Sequence, residues 1–146
     1  MPNKKRTASN TAAPPTVPLD ALVEAAKALG HPARLRVLAM LREGPLCVCQ
    51  ITSVLGVAAS TVSAHLADLR RAGLVAEQKQ GKWVYYRLAE GGPLDALVRE
   101  VRRLAAGDAQ LREDARVIRA VRGVPVEDFC RSGLDLATIG VTRHDR

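Results

Sequence analysis

Three cysteines are the residues of this 146-residue chain with the clearest capacity for chemistry at a site. Cys47 and Cys49 are separated by one residue, and Cys130 stands near the C-terminus. A closely spaced thiol pair is a soft ligand set, which binds thiophilic ions and also undergoes redox reactions. The elements that carry the pair therefore decide what such chemistry would control.

The composition favours a helical protein with an anionic partner. Apolar residues make up 47% of the chain but aromatic residues only 3%. The core must therefore consist mainly of Leu, Val and Ala, which favours helices packed on helices. The formal net charge of +7 makes nucleic acid the first partner to consider. A soluble basic protein without such a partner would carry the same charge.

The cysteine count and the hydropathy pattern predict a cytoplasmic protein with free thiols. Residues 1–10 are polar and basic, and the apolar run of a secretory signal does not follow them. No apolar stretch approaches the length needed to cross a bilayer. Three cysteines are an odd number and too few for a disulfide framework. We therefore expect a reducing compartment and no membrane partner.

The spacing of apolar residues predicts four helices, a β-hairpin and a fifth helix. Glycine or proline follows each of the first four helices, and the hairpin strands flank Gln80-Gly81. Residues 108–121 are compatible with one more helix. The predicted helices span residues 19–29, 32–42, 46–55, 59–72 and 94–106, and the predicted strands span residues 74–79 and 82–88.

This order of elements predicts a mainly α protein with a β-hairpin wing (α+β), a winged helix-turn-helix. No other predicted element covers the apolar stripes of the first and fifth helices, so we expect them to form a homodimer with a second copy of the chain. We assign residues 1–18 to a disordered basic arm and residues 19–106 to a DNA-binding and dimerisation domain. Residues 107–146 are predicted to be a partly helical C-terminal extension.

Two surfaces of the predicted fold suit contact with double-stranded DNA. Short hydroxyl side chains on the outer side of the fourth helix fit close approach to phosphates and base edges. A basic hairpin beside that helix suits the phosphate backbone or a minor groove. Either feature alone would be an ordinary solvated surface, but together they favour DNA binding. The candidate residues are Ser60, Thr61, Ser63 and His65 on the helix, and Lys79, Gln80 and Lys82 at the hairpin tip.

The thiol pair falls in the first turn of the predicted third helix. Residues two apart on a helix point about 200° away from each other, so one small ion could not bind both thiols without distorting that turn. Distortion would misplace the fourth helix through the turn at Gly56. A position near a helix N-terminus should also lower the thiol pKa.

Residues 19–104 resemble the ArsR/SmtB family of bacterial metal-responsive repressors. The resemblance implies a homodimer that binds a palindromic operator and leaves it when an inducer binds. The motifs that carry it are Leu29-Gly30-His31-Pro32-Ala33-Arg34, Ser60-Thr61-Val62-Ser63-Ala64-His65-Leu66, Leu69-Arg70-Arg71-Ala72-Gly73-Leu74-Val75 and Gly81-Lys82-Trp83-Val84-Tyr85-Tyr86-Arg87-Leu88.

Within that family, Leu46-Cys47-Val48-Cys49 is similar to the signature of the arsenic-sensing branch. The similarity implies an inducer of trivalent arsenic or antimony bound by cysteines, and an operator before arsenic-resistance genes. The branch often has a further cysteine where this chain has Thr52. Trivalent arsenic prefers three thiolates, so Cys130 is the candidate third ligand, from the same chain or from the dimer partner. An incidental free cysteine, with a site of two thiolates completed by water or a small thiol, is the alternative.

Other functional classes find less support in the sequence. No catalytic constellation or phosphate-binding glycine loop occurs, so we expect neither an enzyme nor an organic cofactor. The resemblance implies that zinc or nickel sensors would use histidines and carboxylates of the last dimer helix, which contains no histidine here. His31, His65 and His144 lack metal-ligand spacing. Cadmium or lead at the thiols, or thiol oxidation in place of ion binding, remain alternatives for the same repressor.

Overall fold

The computed structural model describes residues 16–133 and 135–142. Residues 1–15 of the predicted basic arm, and His144, lie outside the described residues. Two short 3-10 turns, Leu41–Glu43 and Leu136–Ile139, accompany the helices and strands. The elements are α1 (Leu19–Leu29), α2 (Pro32–Met40), β1 (Leu46–Cys47), α3 (Val48–Leu55), α4 (Ala59–Arg71), β2 (Val75–Gln80), β3 (Trp83–Leu88), α5 (Asp95–Ala105), α6 (Ala109–Arg122) and α7 (Val126–Ser132).

The predicted fold class, mainly helical with a β-hairpin wing, is confirmed. Helices α3 and α4 meet at 111°, within the range of a helix-turn-helix. The turn between them closes at Gly56, whose φ of 69° suits a residue without a side chain. Helix α4 begins after Ala58, which provides no side-chain cap. Among the described residues no single helix is long and apolar enough to span a membrane; α3 and α4 reach that length and composition only when joined across their bend.

The sheet has three antiparallel strands in the order β1-β3-β2. Strand β1 pairs Cys47 with Tyr85 of β3. The prediction that residues 46 and 47 begin the third helix is therefore wrong, because backbone pairing with a distant strand holds them extended. The hairpin turn lies at Gly81-Lys82, one residue later than predicted, and Gly81 has a φ of 60°.

The C-terminal helices share the core of the winged helix-turn-helix. Helix α6 packs on α2 and α3, and α7 packs on α3. Val117, Ile118, Val121 and Phe129 are buried in the same cluster as Leu38 of α2 and the leucines of α4. The residues that follow the hairpin wing therefore help to build the environment of α3.

Several apolar side chains of α1 and α5 remain exposed in the single chain. Leu22 and Val23 are 44% and 42% exposed, and Leu104 is 71% exposed. By contrast, Ala25 and Ala28 face the core and are buried. The outer faces of α1 and α5 therefore present the uncovered apolar surface from which the homodimer was predicted.

Candidate thiol site and DNA-reading surface

Three elements bring the three cysteine thiols together. Cys47 ends β1, Cys49 lies in the first turn of α3, and Cys130 lies in α7. Their Sγ atoms all lie within 4.8 Å of one another, and those of Cys47 and Cys130 are 3.6 Å apart. Among the described residues this is the one group of three or more side chains arranged to hold a metal ion. The structure thus brings Cys130 to the pair from the same chain.

Cys47 and Cys49 converge because only Cys49 is helical. Cys47 has extended dihedral angles, φ −85° and ψ 164°, and is the N-cap of α3. Its N–H donates a hydrogen bond to Gln50 Oε1 at 3.0 Å, which closes the helix start. The expectation that α3 must unwind before both thiols can bind one ion is therefore wrong, since its premise of two helical cysteines does not hold.

Burial dominates the electrostatics of the site. It raises the pKa of the Cys47 thiol, and hydrogen bonds, first from the Gln50 backbone, only partly oppose this. Burial also raises the pKa of Cys130, and the neighbouring thiols add to the effect. The predicted lowering of the thiol pKa by the helix N-terminus is wrong for Cys47, because desolvation outweighs it.

Cys130 is positioned by the residue before it and by the helix before α7. Phe129, the only phenylalanine of the chain, is 1% exposed and anchors α7 in the core. At the end of α6, Arg122 donates to Gly44 O at 2.8 Å and to Pro45 O at 3.0 Å. These bonds join the segment before Cys47 to the helix that leads to Cys130. The role of Arg122 was not predicted from the sequence. The apolar residue Phe129 beside Cys130 was a usable signal that this segment docks in the core.

The predicted DNA-reading residues of α4 do not all have the same environment. Ser60, Thr61 and Ser63 are exposed. His65 is half-buried, with its ring centroid 4.4 Å from that of His31. Burial first, and then the nearby His31 and Arg34, lower the pKa of His65. His65 is therefore less available for DNA contact than the three hydroxyl residues.

The wing is tied to α4 by polar contacts at its base. Arg70 Nη1 lies 2.7 Å from Glu77 Oε1, and the Tyr86 hydroxyl donates to the same oxygen at 2.9 Å. At the other end of the hairpin, Lys79, Gln80 and Lys82 are exposed. The contact between Arg70 and Glu77, which links the wing to α4, was not predicted from the sequence.

The comparisons with known proteins agree on one family. The profile described as "Bacterial regulatory protein, arsR family" matches residues 31–77. The arsenic resistance transcriptional regulator ArsR1 of Pseudomonas putida is 42% identical over 78 residues, 51% of this chain and 61% of that protein. ArsR2 of the same organism, also an arsenic resistance transcriptional regulator, is 34% identical over 105 residues, 70% of this chain and 90% of that protein.

A solved structure shows the same architecture. It is a homodimeric winged helix-turn-helix DNA-binding domain from Mycobacterium bovis, with 33% identity and a TM-score of 0.55. The match covers 62% of this chain and 83% of that domain.

Proposed function

Because the chain belongs to the ArsR family of bacterial regulatory proteins, we propose that it is a homodimeric repressor of an arsenic-resistance operon. In this proposal α4 and the β2–β3 wing bind operator DNA. Trivalent arsenic or antimony binds Cys47, Cys49 and Cys130 and releases the protein from DNA. The observation that carries the proposal is the convergence of these three sulfurs within 4.8 Å.

The three thiols suit trivalent arsenic and antimony in the number of sulfur ligands and in the net charge of the product. Both elements form pyramidal complexes with three sulfur ligands. Arsenous acid and three thiols give an uncharged product and three waters, so the buried site gains no charge. A thiol that burial keeps protonated, such as Cys47, therefore remains reactive toward this ligand.

Divalent thiophilic ions fit the same site less well. Cadmium or lead bound to three thiolates leaves one net negative charge, and a buried charge without a partner is costly. Cys47 is only 2% exposed. Burial of the thiols thus favours the trivalent metalloids over the divalent alternatives.

Release from DNA would follow from contraction of the thiol cluster. Two sulfurs bound to one atom at about 2.3 Å, the zinc–thiolate distance, lie at most about 4.6 Å apart, and a pyramidal centre brings them closer. In this proposal the sulfurs farthest apart, within 4.8 Å of each other, draw together on binding. Cys49 lies in α3, which continues through Gly56 into α4, so a shift of α3 moves the DNA-reading helix. The ligand then favours a state of low DNA affinity, and operator DNA weakens ligand binding by the same factor.

The dimer would present two copies of α4 to DNA. The exposed apolar faces of α1 and α5 provide the surface for pairing. In such a dimer the two helices enter successive major grooves about 34–36 Å apart. The hydroxyl residues of α4 then contact base edges or phosphates, while the lysines of the wing follow the backbone.

The experiment uses duplex DNA selected from a random pool by the reduced protein. Fluorescence anisotropy then gives its affinity with and without sodium arsenite. We expect arsenite to weaken binding by about 5- to 150-fold, the usual range of allosteric coupling. Cys47→Ser and Cys49→Ser should remove the response, whereas Glu90→Ala, at an exposed position after β3, should preserve it. Arsenite that binds the protein without changing DNA affinity would contradict the proposed release.

A repressor that responds to thiol oxidation is the second candidate. The distance of 3.6 Å between Cys47 Sγ and Cys130 Sγ favours it. A peroxide would oxidise the two thiols to a disulfide and be reduced to an alcohol and water. Release of DNA by peroxide but not by arsenite would support this candidate in place of the metalloid sensor.

A further inference from the structure

A cavity of about 130 Å³ lies where the end of α2, helix α5 and helix α6 meet. Three arginines line it, each from a different part of the fold. They are Arg42 in the 3-10 turn Leu41–Glu43, Arg102 in α5 and Arg112 in α6. The other lining residues are Glu43, Leu111 and alanines. The fold therefore brings three cationic side chains to one small space.

The guanidinium groups at this cavity lack acidic partners. No ion pair within the described part of the chain involves Arg42, Arg102 or Arg112. Arg102 is half-buried, and its Nε atom is buried without a hydrogen-bond acceptor among the described residues. A buried polar group without a partner is costly, and more so when it is charged. The arrangement therefore suits a ligand that brings negative charge and several acceptor atoms.

The charge of the cavity wall favours the same class of ligand. Glu43 is the only acidic residue in the lining that the described residues provide, which leaves an excess of two positive charges. Burial lowers the pKa of Arg102, and the charge of Arg42 lowers it further. Glu43 also acts on Arg122, where it opposes the lowering of the pKa by burial. An anion between Arg42 and Arg102 would replace their mutual repulsion with attraction.

We infer that this cavity binds a phosphate group between Arg42, Arg102 and Arg112. The inference does not depend on the thiol chemistry proposed above. A guanidinium group presents a planar fork of N–H donors that matches two oxygens of a phosphate. A phosphate group carries a charge of about −1.5 to −2 at neutral pH, which offsets the excess charge of the wall. A carboxylate has less charge and fewer oxygens, so it would satisfy fewer of these donors.

The size of the cavity limits how much of the ligand it can enclose. An apolar protein cavity of about 150 Å³ binds benzene, and the volume here is about 130 Å³. One phosphate group fits such a space, but a nucleoside attached to it does not. Arg42 and Arg112 are exposed, so the ligand can enter on their side. The ligand is therefore free phosphate, or a phosphate group whose attached molecule remains outside the cavity.

The cavity lies on the side of α5 opposite the proposed dimer face. Val98, one turn before Arg102, is buried, whereas Leu104 is 71% exposed. Residues four apart share one face of a helix, and residues two apart point about 200° away from each other. Pairing of two chains through Leu104 would therefore leave Arg102 and the cavity uncovered. A bound phosphate would link α5 to α2 and α6 and would stabilise the folded chain by mass action.

Thermal unfolding and isothermal titration calorimetry of the reduced full-length protein test the inference. Sodium phosphate is compared with sodium chloride at the same ionic strength, so that general screening is the same in both. At about five times its Kd, phosphate should raise the Tm by about 2–4 °C relative to chloride. Sodium acetate should bind more weakly than phosphate, because it offers less charge and fewer acceptors.

Two variants of the cavity and two controls make the test specific. Arg102→Met keeps the apolar stem of the side chain and should weaken phosphate binding at least about tenfold. Its Tm in phosphate-free buffer should not fall, because the guanidinium lost there has no partner. Arg42→Gln, at an exposed position, should also weaken binding. Arg119→Gln removes the same charge from an exposed position of α6 outside the cavity, and should leave the affinity nearly unchanged, as should Cys47→Ser.

Adenosine monophosphate separates the two possible sources of the phosphate group. Binding as tight as that of inorganic phosphate would support a site for a phosphate carried by a larger molecule, and much weaker binding would support a site for the free anion. Three results would overturn the inference: no saturable effect of phosphate beyond that of chloride, equal losses in Arg102→Met and Arg119→Gln, or acetate binding as tight as phosphate binding. None of them would affect the proposed metalloid site.

Discussion

Arg36 of α2 and Asp114 of α6 form a two-point ion pair. Arg36 Nε lies 2.7 Å from Asp114 Oδ2, and Nη2 lies 2.8 Å from Oδ1. Arg36 also donates to Val54 O of α3 at 3.3 Å, and Gln110 donates to Asp114 Oδ1 at 3.0 Å. The pair therefore joins α2, α3 and α6 at one point. Helix α6 leads directly into α7, so this contact helps to hold Cys130 beside the other thiols.

Asp114→Ala should destabilise the protein and loosen the thiol site. Asp114 is 3% exposed, and removal of one partner of a buried ion pair costs about 3–5 kcal/mol. We expect the lower end of that range, because Arg36 keeps partial contact with water. Urea denaturation measures the loss, and arsenite affinity under native conditions should also fall. A control is Glu24→Ala, whose exposed pair with Lys27 on α1 should contribute much less to stability. Equal effects of the two substitutions would contradict the anchoring role of Asp114.

Cys130→Ser should lower arsenite affinity, and Thr52→Cys in the same chain should restore part of it. Thr52 lies one turn after Cys49 and lines the same cavity as Cys130. A thiol at this position supplies a third sulfur without α7. We expect a loss of at least about tenfold in Cys130→Ser and a measurable recovery in the double variant by equilibrium dialysis. A Cys130→Ser variant with wild-type affinity would show that two thiols suffice.

The stability of the folded protein should decline as the pH rises above about 9. The pKa of Cys47 is raised from its ordinary value of 9.0, and that of Cys130 is raised as well, both mainly by burial. Above pH 9 the unfolded thiols ionise while the folded ones keep their protons, so the unfolded state binds fewer protons and gains stability. Each such thiol contributes at most about 1.4 kcal/mol per pH unit.

Urea denaturation at several pH values checks this decline. The decline should be smaller in Cys130→Ser, because serine does not titrate in this range. Identical profiles of stability against pH in wild type and variant would rule out a contribution from the Cys130 thiol.

Leu22→Glu should prevent dimer formation. Leu22 belongs to the exposed apolar face of α1, and a carboxylate there would be buried without a partner in the predicted dimer. Sedimentation velocity should give the mass of a single chain, 15.7 kDa. Val57→Glu is a matched control, because Val57 is 41% exposed but lies in the turn between α3 and α4. A dimeric Leu22→Glu protein would place the interface elsewhere.

Lys79→Ala and Lys82→Ala should each weaken DNA binding, by a factor that does not depend on the DNA sequence. Both lysines are exposed on the wing, where they suit contact with phosphates. Loss of one phosphate contact reduces the slope of log affinity against log salt concentration by about 1. Anisotropy titrations at several salt concentrations measure this slope. Lys27→Ala, on α1 and paired with Glu24, should leave it unchanged.

The sequence was sufficient to predict the first five helices and the wing, because their apolar periods are regular. Helix α7 (Val126–Ser132) was not predicted. The sequence was also not sufficient for Cys47. A strand of two residues has no period to detect, and its conformation depends on pairing with Tyr85. The predicted geometry of the thiol pair failed for this reason alone.

The pKa of the Cys47 thiol was mispredicted for a related physical reason. Proximity of Cys47 to a helix N-terminus can be inferred from local sequence, but its burial depends on α7 and β3, which are distant along the chain. Cys130 was named as a candidate by elimination. Its position beside Cys47 requires the docking of Phe129, which local patterns do not encode.

The order of the elements along the chain separates the candidate third ligand from the predicted DNA contacts. All residues of α4 and the wing precede α6 and α7, and Cys130 belongs to the later segment. A substitution or exchange of that segment would alter the third ligand without touching any predicted DNA contact. The chain is thus organised so that inducer selectivity can diverge, or be engineered for a biosensor, while the operator remains the same.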